Sequence, residues 1–395
     1  MKLIYTTYNK KFYSIFNYFI FFYLIIKSYF MPITTDEAYT FLNFVYVKDY
    51  FNLSIANNHL LNTLLISLST KISNLELFIR LPNLIFAFFY FFLANKLIKS
   101  SQKPFASFCI FLILPYVLEF FSYARGYGIT FCLNFFGLYY FLNNSPSNLK
   151  SYFVPSIFFY IGSLALSYNL LFLSAFFILF IKKNKSFLKN KGFIGGNLLL
   201  FIISIPLLRI IIFSTGSGKP LYGLPEDLDF SYFIKYFFGY TLLLDINFEY
   251  GYIFMSFLMF LLLLKNSLNL ESDFKFLFVL INLQFFLFPL ITNRPLPLLR
   301  LLIPFTPIII LWVYQVLQES KVNKKLNFYT INIFFLLLLL NSLSKFDLFN
   351  SRVWPSLTRA QLHSKSQSKG SCEYLFSGEG GYVFEYYIII NNIFC

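Results

Sequence analysis

The sequence has few charged residues, which make up only 12% of the 395 positions. A soluble protein carries about twice that share. Acids are scarcer than bases, with 17 Asp and Glu against 32 Lys and Arg, and there are only two histidines. None of the four cysteines form a CxxC pair. These shortages exclude a set of ordinary soluble domains and a zinc or thiol-redox centre of the CxxC type.

What the chain has in excess is apolar sequence, since 58% of it is hydrophobic and 23% is aromatic. Repeated apolar runs of about 17–25 residues are typical of membrane-spanning helices. The sequence therefore predicts an all-α polytopic membrane protein with about eleven transmembrane helices. We place these spans at roughly 12–31, 77–95, 104–121, 127–142, 151–165, 167–181, 192–213, 251–264, 276–292, 297–317 and 327–343.

The spans divide the chain into a transmembrane domain, residues 1–343, and a short polar C-terminal tail, residues 344–395. The fifth and sixth spans adjoin at "LALSYNLL" and are either two short helices or one broken helix. In the 32–76 loop, "AYTFLNFVYVKDYF" and "NHLLNTLLISLS" are amphipathic and predict helices lying along the membrane surface. In the tail, "GYVFEYYIII" has the composition of a strand.

The net charge of +15 comes from lysine clusters between the apolar runs, which is the pattern of cytoplasmic loops and not of a nucleic-acid-binding surface. With eleven spans, the clusters at 96–103, 182–191 and 321–325 share one side with the N-terminus. Positive residues stay inside, so the N-terminus is predicted to be cytoplasmic. The 32–76 loop, the large 214–250 loop and the tail are then extracytoplasmic, in contact with membrane lipids.

Two consecutive acids, Asp36 and Glu37, follow the first apolar run in "TTDEAYTF". One interpretation is helix capping, because Thr34 and Glu37 fit the Ser/Thr-x-x-Glu capping box. The other is a carboxylate at the mouth of a cavity, which takes a proton from a hydroxyl or helps to hold a divalent metal. The sequence leaves both interpretations open, and they are compatible.

Other polar residues are predicted at the same outer side. His59 is either a hydrogen-bonding structural residue or a ligand of phosphate or metal. Glu119 and Arg125 lie at the outer end of a span, where they either form a structural pair or Arg125 binds an anionic group. Arg300 begins a late span, where an unpaired arginine costs a few kcal/mol and a phosphate would offset that cost.

Four stretches occur in the order "DEAYTFLNF", "NNHLLNTLL", "RLPNLIF" and "FSYARGYGI" between residues 36 and 130. In sequence and spacing they resemble the polytopic GT-C glycosyltransferases. The most similar branch is the bacterial relatives of dolichyl-phosphate-mannose protein mannosyltransferases and of the aminoarabinose transferases. "LALSYNLLFL" and "LLRLLIPFTP" extend the resemblance more weakly to residue 307.

The resemblance implies that Asp36 is the catalytic base, or lies beside a metal, with Glu37 as its neighbour. His59, Arg125, Tyr127 and Arg300 are then expected to bind substrate. Tyr123 stands where many relatives carry an acid, so a second carboxylate is missing from that position. Glu119, about one helical turn earlier, is the candidate replacement. Asp36 and Glu119 are therefore the carboxylates considered for a divalent metal, and no cofactor is assigned with certainty.

The resemblance also implies an enzyme of the bacterial plasma membrane with an extracytoplasmic active site. It would transfer a sugar, with inversion, from a polyprenyl-phosphate donor to a lipid, glycan or protein acceptor. The missing acid leaves a noncatalytic member of the family as an alternative. A lipid-linked glycan flippase or another transporter is the rival class. In a transporter the charges would line a path, whereas these acids are predicted to cluster on one face.

Overall fold

A computed structural model of the chain describes residues 2–52, 58–112, 115–144, 148–213, 273–292, 303–319, 382–383 and 386–387. Every regular element among these residues is helical, which confirms the all-α prediction for this part of the chain. Twelve α-helices are present there: α1 Lys2–Phe30, α2 Thr35–Thr40, α3 Leu60–Ser69, α4 Glu76–Ser100, α5 Pro104–Leu112, α6 Pro115–Phe121, α7 Gly126–Asn143, α8 Lys150–Ala165, α9 Leu170–Lys183, α10 Lys191–Phe213, α11 Asp273–Thr292 and α12 Thr306–Glu319.

Helices α4 and α10 are long and apolar enough to cross a membrane, α10 over Lys191–Leu208. A third candidate is a pair of helical segments, Ile15–Phe30 and Thr35–Tyr46, that meet at a bend of 71°. The described residues therefore contain two membrane-spanning candidates, or up to three, where the sequence predicted eleven spans. The predicted spans at 251–264 and 327–343 lie outside the described residues.

The apolar interior is built mainly from aromatic side chains. Tyr90 of α4 is fully buried, and its ring packs against Phe121, Phe131 and Phe135 from α6 and α7. Its hydroxyl donates to the carbonyl of Phe111 at 2.8 Å, so the polar end of this large side chain is also satisfied. One tyrosine thus joins α4, α5, α6 and α7.

Helices α8 and α9 are separated at Leu166, whose backbone is extended with φ −149° and ψ 106°. A 3₁₀ turn, Ser167–Asn169, follows the break. The structure therefore favours two short helices at the "LALSYNLL" sequence. Side chains satisfy carbonyls at the end of α8: Thr130 Oγ1 donates to the Gly162 carbonyl at 3.1 Å, and His59 Nδ1 lies 2.8 Å from the Ala165 carbonyl oxygen. Backbone groups freed by a helix break need such partners in apolar surroundings. Asn169 also exchanges two amide hydrogen bonds with Asn134 of α7, at 2.7 and 2.9 Å.

The 32–76 segment contains the two helices expected in it. Helix α2 continues into a π-helix, Phe41–Tyr46, and α3 follows. Their apolar residues do not all face outward, because Phe41 and Phe44 are buried inside the protein. Helices in this loop are confirmed, whereas their contact with a membrane surface stays a prediction.

The prediction of a strand at "GYVFEYYIII" is wrong for the residues described there. Tyr382, Val383, Tyr386 and Tyr387 have helical backbone. Val383 and Tyr386 are three positions apart and both are buried in one apolar cluster. A helix brings residues at this spacing to one face, whereas a strand would turn them to opposite faces.

Candidate active site

Helix α2 begins with the predicted capping box. The backbone N–H of Glu37 donates to Thr34 Oγ1 at 3.4 Å, and the Glu37 carboxylate accepts from the backbone N–H of Thr34 at 2.9 Å. The capping interpretation of the two acids is confirmed for Glu37. Asp36 lies in the same first turn, where the helix dipole favours a negative charge.

Glu37 also forms a bidentate ion pair with Arg80 of α4. Arg80 Nε donates to Glu37 Oε1 at 2.8 Å, and Nη2 donates to Oε2 at 2.7 Å. Both side chains are fully buried. The backbone N–H of Ala124 donates to Oε1 as well, at 2.7 Å. Glu37 is therefore held by three parts of the chain at once.

Arg80 uses its remaining donors on the end of α1. It donates to the carbonyls of Ser28, Met31 and Pro32 at 3.0, 2.6 and 2.8 Å. The last carbonyls of a helix have no partner within the helix, and a cation satisfies them well. Arg80 thus links the end of α1, through these carbonyls, to the start of α2, through Glu37.

Glu37 remains ionised in this environment. Burial by itself would raise the pKa of Glu37, but the Arg80 guanidinium and the N–H groups of Ala124 and Thr34 outweigh burial. Together they hold the pKa below its ordinary value. A saturated carboxylate of this kind is suited to positioning its neighbours.

Asp36 has a different partner. Arg125 Nη2 lies 3.4 Å from Asp36 Oδ2, and Nη1 donates to the Asp36 carbonyl at 3.3 Å and to Thr40 Oγ1 at 3.2 Å. The Asp36 side chain is 16% exposed, whereas that of Glu37 is fully buried. Of the two consecutive acids, Asp36 is therefore the less buried.

Arg125 is placed by the short segment that joins α6 to α7. The Ala124 peptide is bonded at both ends, because its N–H donates to Glu37 and its carbonyl accepts from Asn62 Nδ2 at 2.9 Å. Asn62 in turn accepts from Asn83 Nδ2 at 3.0 Å. Fixing the Ala124 peptide fixes the direction in which the Arg125 side chain leaves the backbone.

His59 and Tyr127 lie beside this segment. Nδ1 of His59 is 2.8 Å from the Ala165 carbonyl oxygen, and a carbonyl only accepts, so Nδ1 carries a proton. The ring of Tyr127 meets His59 edge-on at 5.5 Å and is itself buried. Gly126 leaves room for the Ala165 carbonyl, because a Cβ at position 126 would overlap the carbonyl oxygen. The structure thus places a structural hydrogen bond on His59.

Glu119 lies beside a cation other than Arg125. Glu119 instead accepts from Lys27 Nζ at 3.2 Å and from the Tyr123 hydroxyl at 2.6 Å. Lys27, Glu119 and Tyr123 are all buried. Tyr123 therefore serves as a hydrogen-bond donor to Glu119.

The two carboxylates considered for a metal are thus directed to different cations, Asp36 to Arg125 and Glu119 to Lys27. Within the described ranges, no group of three or more His, Cys, Asp or Glu residues could hold a metal ion. These residues do not fit a metal shared by Asp36 and Glu119. Arg300, the second predicted phosphate ligand, lies outside the described residues.

Sequence reasoning missed several residues that fix the site. Arg80 and Asn83 stand in "RLPN" and Asn62 in "NNHLLN", both of which were recognised only as motifs. Their signal was polar character inside apolar helices, which demands a partner. Asn134 and Asn169, which join α7 to the turn between α8 and α9, carried the same signal.

The candidate site therefore consists of a partly exposed Asp36 beside the buried Arg125, supported by the buried Glu37–Arg80 pair. Comparisons of the chain with protein-family models, with curated proteins and with solved structures find no match in any of the three. The resemblance to GT-C glycosyltransferases rests on the sequence motifs alone.

Proposed function

We propose that this protein is a membrane glycosyltransferase that moves a sugar from a polyprenyl-phosphate donor to an acceptor on the extracytoplasmic face. One observation carries the proposal: the carboxylate of Asp36 lies 3.4 Å from the guanidinium of Arg125, and Asp36 is partly exposed. This transfer requires a base and a phosphate ligand, and we propose Asp36 and Arg125 for these roles. The two residues are in contact although they are 89 positions apart in the chain.

In the proposed reaction, Asp36 accepts the proton of an acceptor hydroxyl. The acceptor oxygen forms a bond to the anomeric carbon as the bond from that carbon to the phosphate oxygen breaks. The electron pair leaves with the polyprenyl phosphate, and attack from the opposite face inverts the anomeric centre. General-base catalysis of this kind contributes about 10²–10⁴ in rate.

Arg125 stabilises the phosphate as negative charge develops on it. Its guanidinium is planar and presents parallel donors, which matches the geometry of phosphate oxygens. The guanidinium is held by the Asp36 carbonyl and Thr40 and is 1% exposed, so we propose that its surroundings open slightly when the donor binds. Arg300 is proposed as a second phosphate ligand, while the mechanism assigns no step to a metal ion.

The membrane setting supports a lipid-linked donor. The described helices are strongly apolar, and exposed faces such as those of Phe19, Leu198 and Phe201 suit contact with lipid tails. We propose a multi-pass protein of the bacterial plasma membrane with a cytoplasmic N-terminus, in which the donor's lipid lies along the helices. The phosphate would then reach Arg125 at the outer end of α6 and α7.

Incubation of the detergent-purified protein with radiolabelled polyprenyl-phosphate sugars and a membrane-lipid acceptor extract tests the proposal. We expect label to move to an acceptor, and Asp36→Asn protein of equal thermal stability to lose this transfer. Movement of intact lipid-linked sugar across proteoliposomes without transfer would instead indicate a transporter. Neither activity, across a panel of donor sugars, would indicate a noncatalytic protein.

A further inference from the structure

The C-terminal tail contributes to the surroundings of Asp36, although it lies more than 300 positions away along the chain. Tyr387 meets the start of α2: its hydroxyl accepts from the backbone N–H of Ile33 at 3.3 Å and donates to Glu76 Oε1 at 2.7 Å. Ile33 directly precedes Thr34, the residue that caps α2. The hydroxyl of Tyr387 therefore joins the approach to α2 with the first turn of α4.

Tyr386 binds the same region from a second direction. Its hydroxyl donates to the Asn74 carbonyl at 2.7 Å, and its ring meets Phe41 edge-on at 5.4 Å. The Tyr386 side chain is fully buried. Burial raises the pKa of this phenol, which therefore stays a neutral hydrogen-bond donor.

One apolar cluster connects the tail to both members of the Asp36–Arg125 pair. Val383 and Tyr386 belong to the same buried cluster as Ala38, two residues after Asp36, and Ala124, the residue before Arg125. Displacing the tail would open this cluster and release both backbone segments that carry the ion pair. A misplacement of about 1 Å at a catalytic group costs on the order of a hundredfold in rate.

We infer that Tyr386 and Tyr387 are positioning residues: they hold the start of α2 in place, and so keep the Asp36 carboxylate in contact with Arg125. The tail segment is then a required part of the site, and acceptor transfer depends on its docking. The link to transfer rests on the proposed function, whereas the effect of the tail on the placement of α2 does not.

The test uses the full-length chain with its four native cysteines replaced by serine and a single cysteine introduced at Thr35, in the first turn of α2. The Tyr386→Phe/Tyr387→Phe double variant removes both hydroxyls and keeps both rings, which preserves the apolar packing. Tyr382→Phe is the matched control, because Tyr382 is the more exposed tyrosine of the same segment. Maleimide labelling of the cysteine is measured in detergent-purified protein.

We expect the double variant to label at least about threefold faster than the parent and the Tyr382→Phe variant to label at the parental rate, as a locally loosened element would. Without the Thr35 substitution, the same double variant should lose about ten- to a hundredfold in kcat/KM for donor, because both Asp36 and Arg125 lose their positions. Unchanged labelling in the double variant would overturn the inference, whatever happens to activity. Faster labelling in a protein that shows no transfer in any form would uphold the positioning role and remove the proposed function.

Discussion

Arg125 binds Asp36, and not the neighbouring Glu37 nor Glu119 of its own region. Arg125 Nη2 and Asp36 Oδ2 are 3.4 Å apart, while Glu37 is held by Arg80 at 2.7 Å and Glu119 by Lys27 at 3.2 Å. Three acids are thus distributed among three separate cations. Only the pair with Asp36 contains a partly exposed carboxylate, so the three pairs are expected to respond differently to substitution.

The first prediction concerns Asp36. Asp36→Asn keeps the size of the side chain and removes the charge that faces the buried Arg125. In protein of matched thermal stability we expect a loss of transfer of at least about a hundredfold, because the base is removed. Transfer at parental rates by the Asn variant would restrict Asp36 to a structural role.

Glu37 should behave in the opposite way. Glu37→Gln leaves the buried Arg80 without its counter-charge, and breaking a buried pair costs about 3–5 kcal/mol. We expect reduced protein levels and a lower melting temperature, measured by thermal unfolding in detergent. Arg80→Met together with Glu37→Leu should not fully restore stability, because Arg80 also satisfies the carbonyls of Ser28, Met31 and Pro32.

The same pair predicts a dependence of stability on pH. The folded-state pKa of Glu37 lies below its ordinary value of 4.5. Its contribution to stability is therefore fully present above pH 4.5 and is lost as the pH falls through the lowered folded-state pKa. Melting temperature measured down this acidic range should fall in the parent and fall less in Glu37→Gln, which has no carboxyl to protonate. Parallel pH profiles for the two proteins would contradict this assignment.

Arg125 tests the phosphate-binding part of the proposal. Lysine keeps the charge but loses the planar fork, so Arg125→Lys should weaken donor use and Arg125→Ala should weaken it more. Charge-assisted hydrogen bonds contribute roughly 1.5–3 kcal/mol each, which corresponds to about ten- to a hundredfold in donor affinity. Donor titration of variants with matched thermal stability measures this. Unchanged donor dependence in Arg125→Ala would move the phosphate site elsewhere.

The helices were predictable from the sequence, whereas the partners in the site were not. Apolar runs signal a helix locally, as for α4 and α10, and the Thr34–Glu37 capping box lies within four residues. Ion pairs carry no such local signal: Glu37 and Arg80 are 43 residues apart, and Lys27 and Glu119 are 92 apart. Asp36 and Glu37 are neighbours of similar chemistry, and only packing decides which of them is buried.

The tail shows the same limit. Its aromatic and β-branched residues favour a strand by propensity, but burial against Phe41 and Ala38 requires a face with helical spacing. Tertiary packing overrides the local preference there. The order of the family motifs could suggest which residues share a site, but it could not reveal that Tyr123 turns to Glu119 or that Tyr387 reaches Glu76.

The last prediction concerns orientation, on which the extracytoplasmic site depends. The described contacts join residues that were predicted to share a side. Lys183 pairs with Asp273, and Gln318 Nε2 donates to Ser101 Oγ at 2.7 Å, all four being assigned to the cytoplasmic ends of their helices. The Asp36–Arg125 contact lies among segments assigned to the other side.

Single cysteines at Asn52 and at the exposed Lys185, in a chain otherwise without cysteine, distinguish the two sides. With a membrane-impermeant maleimide on intact cells, we expect labelling at Asn52 and none at Lys185 until the membrane is permeabilised. The reverse pattern would place Asp36 and Arg125 in the cytoplasm, where a donor presented on the outer leaflet could not reach them.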